Sequence, residues 1–134
     1  MTRLVQRLRH AGEDRGTSAI ELVIVTPLLM LVTFLIVQFA LSWFGNEVAG
    51  ATARETARYV RTGGTLDDAV VRGTEYAASV GSGSLRDVVV KVEMVGADQV
   101  RATVTGRAQE IVGGFAPEVS QSVVGPIEQF RPDE

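Results

Sequence analysis

The sequence predicts an α+β protein held in a membrane. A long N-terminal transmembrane helix continues as an amphipathic stalk, and a short helix then packs on a small antiparallel sheet of two to three strands. Two observations carry this prediction. The 25 positions from Leu22 to Asn46 hold no charged residue, and near residue 88 the apolar spacing changes from helical to alternating. We therefore divide the chain into a basic leader (1–16), a transmembrane helix and stalk (17–62) and a small α+β head (63–134).

The absence of Cys and the scarcity of His exclude several kinds of catalytic, metal-binding and disulfide site. The 134-residue chain has no Cys and a single His, at position 10. Disulfides, cysteine zinc sites and Ser-His or Cys-His catalysis are therefore excluded. Phosphate-cradling and metal-ligand motifs do not appear. Residues 17–134 hold 9 basic and 14 acidic groups, a balance that argues against nucleic-acid binding. We expect no enzyme, no cofactor, no metal and no nucleic-acid partner.

The leader and the apolar run together predict the topology. Residues 1–16 carry four Arg against two acidic residues, and a basic segment beside an apolar span stays in the cytoplasm. The run is long enough for one crossing of a hydrocarbon core of ~30 Å. Trp43 and Phe44 lie at its far end, where interfacial aromatics are found. We expect a single-pass protein of the cytoplasmic membrane with an extracytoplasmic C-terminal head.

Three residues stand out in or beside the apolar run. Pro27 removes one backbone hydrogen bond and predicts a helix kink. Gln38 is interpreted as a neutral amide that bonds locally or reaches the interface. Glu21 lies at the edge of the run, where a charge is costly unless it is paired. It either faces head groups, favoured by the helix dipole, or has a functional partner, and both readings stay open.

The chain has three possible fates. A secretory signal has a shorter apolar region of about 7–15 residues, but small residues near Ala51 leave a secreted domain as one alternative. An uncleaved signal anchor, whose extracytoplasmic domain binds a ligand or envelope partner, is the second. Cleavage between Gly16 and Thr17 is the third, and it keeps the whole apolar segment in the mature protein.

The segment from Gly16 to Leu29 resembles the TadE-like pseudopilins of tight-adherence (Flp-type, type IV) pili. Their pattern is a basic stretch, a glycine, small residues, a glutamate, apolar residues, then a proline and a Leu-rich run. Gly16, Glu21 and Pro27 match that pattern in order, whereas Leu22 stands where an aromatic often follows the glutamate. The resemblance covers about residues 12–62. The major Flp pilins are shorter than this chain after cleavage, so it implies a minor pilin or pseudopilin.

The resemblance also implies a processing event and a set of partners. A prepilin peptidase would cut after Gly16 and leave Thr17 with a free α-amino group. Glu21 would pair with that amine on an adjacent subunit and set the register of assembly. The partners implied are membrane lipid, the peptidase, the major Flp pilin, other minor pilins and the assembly platform proteins. The protein would then lie in the membrane and, after assembly, in a pilus.

Helical spacing continues beyond the membrane to about Arg61, where Gly63 and Gly64 end the helix. Three alanines, at positions 49, 53 and 57, share one face of this stalk. Small residues allow close approach of another backbone. The face either contacts another subunit or docks the chain's own head, and the sequence leaves both open.

The head begins with a helix and ends in strands. Thr65 is the predicted cap of a helix that runs to about Val80, with Asp67 and Asp68 in its first turn. Those two acids complement the helix dipole and are not interpreted as a catalytic pair. Alternation in 88–95 and 100–105, around a turn at 96–99, predicts a hairpin. Residues 118–127 offer a weaker third strand, which Pro126 places at an edge.

Overall fold

The fold is α+β, as predicted. The computed structural model describes residues 2–111 and 113–127, with the side chains of residues 2–18 left undescribed. In chain order the elements are α1 (Thr2–Arg61), α2 (Leu66–Val80), β1 (Leu85–Val95), β2 (Gln99–Ala108) and β3 (Glu118–Pro126). The chain forms two compact units, residues 1–37 and 38–134. The second contains the end of α1, α2 and the sheet, and we call it the head unit.

Helix α1 starts earlier than predicted and ends where predicted. The predicted transmembrane helix and stalk began at residue 17, whereas the helix begins at Thr2. The leader holds four Arg and two Leu, which favour helix, and each interrupting glycine costs only about 1 kcal/mol. At the other end Gly63 has φ 98°. The N–H of Gly64 donates to the Tyr59 carbonyl at 3.0 Å, which is the Schellman geometry that closes a helix.

Helix α2 has the cap that the sequence predicted. The Thr65 hydroxyl oxygen accepts the backbone N–H of Asp68 at 3.2 Å and donates to the Asp68 carboxylate at 2.8 Å. This satisfies a backbone donor that the first helical turn would leave free. The buried face consists of Ala69, Gly73 and Ala77. Val80, the last residue of the helix, is 47% exposed.

The three strands form one antiparallel sheet in the order β1-β2-β3. The predicted hairpin is confirmed, since Val95 pairs with Gln99 across a turn at residues 96–98. Gly96 has φ 73° in that turn, a conformation that glycine adopts without a steric penalty. The third strand is also confirmed, and it lies at an edge. Strand β2 is central and turns one apolar face towards the helices.

A β-bulge in β1 was not predicted. The register with β2 shifts by one residue between Arg86 and Val89, and Asp87 lies there with φ 52°. The extra residue resets the alternation, so that Leu85 and Val90 both face the core at 7% exposure. Strand β1 therefore begins at residue 85 rather than at 88. Simple alternation could not detect these additional residues, because the bulge inverts it.

The core of the head unit lies between the end of α1, α2 and the sheet. The three stalk alanines are 0–2% exposed and pack with residues of the chain's own sheet, including Val100 and Val104. The structure therefore shows that this face docks the head. Thr52 and Thr56 are buried in the same face. Their hydroxyls donate at 2.8 Å to the carbonyls four residues earlier, so no polar group is left unpaired there.

Candidate membrane and assembly segment

Apart from Glu21, Thr26 and Thr33, residues 19–37 of α1 present apolar side chains on all sides. All 19 are exposed, and the helix is long and apolar enough to cross a membrane. Nineteen residues rise about 28 Å at 1.5 Å each, close to a hydrocarbon thickness of ~30 Å. A helix that is apolar all round needs lipid or other apolar helices as its surroundings. The segment is therefore suited to a membrane anchor, and we call it the apolar segment.

The hydroxyl groups of the apolar segment are satisfied within the helix. Thr26 donates to the Leu22 carbonyl at 2.6 Å, and Thr33 donates to the Leu29 carbonyl at 2.9 Å. These bonds lower the cost of placing a hydroxyl in lipid. Pro27 lies inside the helix. The kink expected there stays a prediction.

The three residues predicted to serve processing and assembly lie close together along α1. Gly16 and Thr17 belong to the helix, although their side chains are outside the described ones, and Glu21 is exposed. Thr17 and Glu21 are four residues apart, so they lie on one helix face about 6 Å apart along the axis. The helix therefore places the carboxylate one turn from the backbone nitrogen of Thr17.

Gln38 braces a loop of the head unit. Its side-chain N–H donates to the Gln109 carbonyl at 3.1 Å, and its side-chain oxygen accepts the N–H of Ile111 at 3.1 Å. The sequence indicated only a neutral amide that bonds locally or reaches the interface. Its partners are 71 and 73 residues away in the chain, and no local pattern identifies them.

The braced loop, residues 109–117, also carries an internal cap. One oxygen of Glu110 accepts the N–H groups of Gly114 and Phe115, both at 2.9 Å. Ile111 is 42% exposed and Phe115 is 73% exposed. The Glu110 carboxylate is therefore bonded to the backbone of the loop, whereas the apolar side chains of Ile111 and Phe115 are exposed.

A polar cluster joins α1 to α2 on the other side of the head unit. The Glu55 carboxylate accepts two hydrogen bonds from Arg58, at 3.0 and 3.1 Å, and lies 3.7 Å from the guanidinium of Arg72. Arg72 also stacks 5.3 Å from the centre of the Tyr59 ring. Glu55 lies outside the apolar segment, and the hydrogen bond from Arg58 is the main cause that lowers the pKa of its carboxyl. These contacts tie two helices together.

Comparison with known families identifies the first part of the chain. The family model for "TadE-like protein" matches residues 16–58. The match covers 43 of the 134 residues, and this segment is similar to TadE-like proteins. The match begins at Gly16, contains Glu21 and Pro27, and confirms the resemblance that the sequence pattern indicated. It indicates a protein associated with the tight-adherence pilus system. No curated protein and no solved structure matches the chain.

The TadE-like segment ends inside the head unit. Its last part supplies the buried face from Val48 to Ala57, which packs on strands that lie beyond the match. Asp67 and Asp68, also beyond it, occupy the first turn of α2 as predicted. Within the described residues, no group of three or more His, Cys, Asp or Glu is placed to hold a metal ion.

Proposed function

We propose that the chain is a minor pilin or pseudopilin of a tight-adherence (Flp-type) pilus, processed after Gly16 by a prepilin peptidase. One observation carries the proposal: the TadE-like match begins at Gly16, the glycine after which signals of this class are cut. Cleavage there removes the basic leader, keeps the apolar segment and leaves 118 of the 134 residues. TadE-like proteins are not known as enzymes, which agrees with a structural role.

Glu21 is proposed to set subunit register. After cleavage Thr17 carries a cationic amine at the start of an apolar helix. An unpaired charge in apolar surroundings costs several kcal/mol. A carboxylate on the neighbouring subunit offsets this cost only when the two helices are aligned. Because Thr17 and Glu21 are one turn apart on every subunit, neighbours staggered by about that rise can pair in series.

The proposed location follows from the leader and the apolar segment. The leader stays cytoplasmic, and the head lies outside the cytoplasmic membrane. On assembly, the exposed apolar segment exchanges lipid for the helices of the major Flp pilin and other minor pilins. Its largely apolar surface can contact either lipid or the apolar helices of other subunits. The assembly platform proteins would act on the segment while it is still in the membrane.

Mass spectrometry of the protein extracted from cell membranes tests the processing step. A mature start at Thr17 supports the proposal. A start at Met1 supports the alternative, an uncleaved single-pass signal anchor with an extracytoplasmic binding domain. A start near residue 50 supports the secreted domain, although that cut would remove Val48 and Ala49, which are 3% and 0% exposed in the core.

Two leader variants sharpen this test. Gly16→Leu should stay at full-length mass, because the peptidase requires a small residue before the cut. Gly12→Leu changes a glycine in the same leader away from the cut and should be processed normally. Processing of Gly16→Leu at the wild-type position would contradict the proposed site.

A second pair of variants tests the carboxylate. Glu21→Gln should be processed normally but be lost from sheared pili, because it cannot pair with the amine. Glu47→Gln is the matched control, since Glu47 is an exposed glutamate on the same helix within the head unit. Equal recovery of both variants in the pilus fraction would exclude the pairing.

A further inference from the structure

The exposed apolar surface does not stop at the end of the apolar segment. Phe39, Trp43 and Phe44 follow it on α1 and are 70%, 62% and 51% exposed. The rings of Phe39 and Trp43 lie 6.4 Å apart. From residue 38 to residue 44 the helix rises about 9 Å. Aromatic side chains at the end of a span lie at the level of the lipid head groups, so this part of α1 marks an interface.

The loop of residues 109–117 is fixed at the same level. Gln38 holds the backbone of Gln109 and Ile111 through two direct hydrogen bonds. Gln38 immediately follows Val37, the last residue of the apolar segment. The braced part of the loop therefore lies beside the first turn of α1 after that segment, and Ile111 and Phe115 are exposed on it.

Three backbone N–H groups of the loop are bonded to side chains. An irregular backbone is costly beside lipid because its N–H and C=O groups need partners. Here Gln38 binds the N–H of Ile111, and Glu110 binds those of Gly114 and Phe115. The Gln38 amide and one carboxylate oxygen of Glu110 are thus bonded to the loop backbone, whereas the buried Oε1 of Gln109 has no hydrogen-bond partner. The exposed large side chains of the loop, Ile111 and Phe115, are apolar.

We propose that the loop of residues 109–117 is a second membrane contact, which inserts Ile111 and Phe115 into the interfacial layer on the side of the head. This rests on the membrane anchor of the proposed function. The exposed aromatic side chains of Phe39, Trp43 and Phe44, in the same unit as the loop, identify lipid as the occupant. Residues 108–117 contain no Lys or Arg, so the contact is apolar and independent of anionic head groups. A second contact restricts the tilt of the head unit against the membrane surface.

Tryptophan fluorescence tests this contact in the full-length protein. The chain has one Trp, at position 43, so each variant carries a single probe. The probes are the wild type, Trp43→Phe with Phe115→Trp, and Trp43→Phe with Val71→Trp as the control. Val71 is a 58% exposed apolar residue of α2. Each protein is reconstituted in phosphatidylcholine vesicles, with and without acyl chains brominated near the head group.

The expected result separates the three probes. The probe at 115 should lose the same fraction of its intensity to brominated lipid as Trp43 does, and should emit at shorter wavelength than the probe at 71. The probe at 71 should be equally bright in both vesicles. Addition of phosphatidylglycerol should leave the quenching at 115 unchanged.

Other outcomes overturn the proposal in distinguishable ways. Quenching of Trp43 without quenching at 115 leaves the anchor standing and removes the loop contact. No quenching of Trp43 removes the anchor's placement and the loop contact together. Equal quenching at 71 and 115 means that the head lies on the membrane without a specific loop contact. A probe at 115 that is shielded from aqueous iodide but not quenched by lipid has a protein occupant instead.

Discussion

The close approach of α2 to α1 depends on the absence of a side chain at Gly73. A Cβ at this position would collide with Thr56 Oγ1 and would lie 3.1 Å from a methyl group of Val90. Thr56 is fully buried, and its hydroxyl donates to the Thr52 carbonyl at 2.8 Å. The hydroxyl therefore cannot move away without losing that bond. We predict that Gly73→Ala destabilises the head.

The magnitude follows from opposing terms. Overpacking costs about 1–3 kcal/mol, and Ala gains about 1 kcal/mol over Gly in a helix interior. Loss of the Thr56 hydrogen bond adds about 1 kcal/mol. The net loss should be about 1–3 kcal/mol, because the collision outweighs the gain in helix propensity. This corresponds to a factor of about 5–150 in the equilibrium for opening the head.

Native-state hydrogen exchange of the Val104 amide in full-length protein in detergent micelles measures this opening. Gly50→Ala is the matched control, because its Cβ would meet only the flexible end of Arg54, at 3.4 Å. It should slow exchange by up to about fivefold, the gain expected from helix propensity alone. Adding Thr56→Ala to Gly73→Ala should recover part of the loss. If Gly73→Ala protects Val104 as well as Gly50→Ala does, the helices are not in the contact described.

Three further predictions concern the caps and polar contacts of the head. Thr65→Ala should lower the stability of the head by about 1 kcal/mol, seen as a lower thermal midpoint, because α2 loses its N-cap. Gln38→Leu should speed exchange of the Ile111 amide by about tenfold, because a hydrogen bond of about 1.4 kcal/mol is lost there. Since the Arg58 contact lowers the pKa of Glu55 below 4.5, its contribution is present at neutral pH and lost as pH falls through the lowered value. Wild type should therefore lose slightly more stability on acidification than Glu55→Gln, by less than about 1 kcal/mol for so exposed a pair.

Each of these has its own control. Thr65→Ser keeps the capping oxygen and should retain wild-type stability; equal loss in both variants would contradict the cap. Gln38→Glu keeps one acceptor for the Ile111 amide and should protect it better than Gln38→Leu. Parallel acid profiles for wild type and Glu55→Gln would mean that the ion pair does not affect folding.

Local signals predicted much of the head. Gly63 and Gly64 ended α1 because a left-handed residue is needed there, and Thr65 opened α2 because its side chain can cap the first turn. Alternation predicted the hairpin, and Pro126 predicted the edge strand. Each of these features depends on residues that are neighbours in the sequence, so it can be predicted without knowledge of the tertiary structure.

Long-range features were not predictable in the same way. The Gln38 brace depends on partners more than 70 residues away, and the bulge at Asp87 depends on pairing with β2. The docking of the alanine face on the head was one of two open alternatives, because small residues suit a partner helix and a domain's own sheet equally well. Glu21 was singled out for the cost of its charge, and its pairing stays a prediction.

The burial of the end of α1 has a mechanical consequence. Residues 45–60 of the helix are at once the rod that carries the head and part of its hydrophobic core. No flexible joint lies between the two. A force applied at residue 38 along the helix axis therefore acts parallel to the interface between the helix and the sheet. The alanine and valine contacts of that interface must all break at once before the helix can slide out. The head should thus resist axial load far better than a domain tethered by a loop.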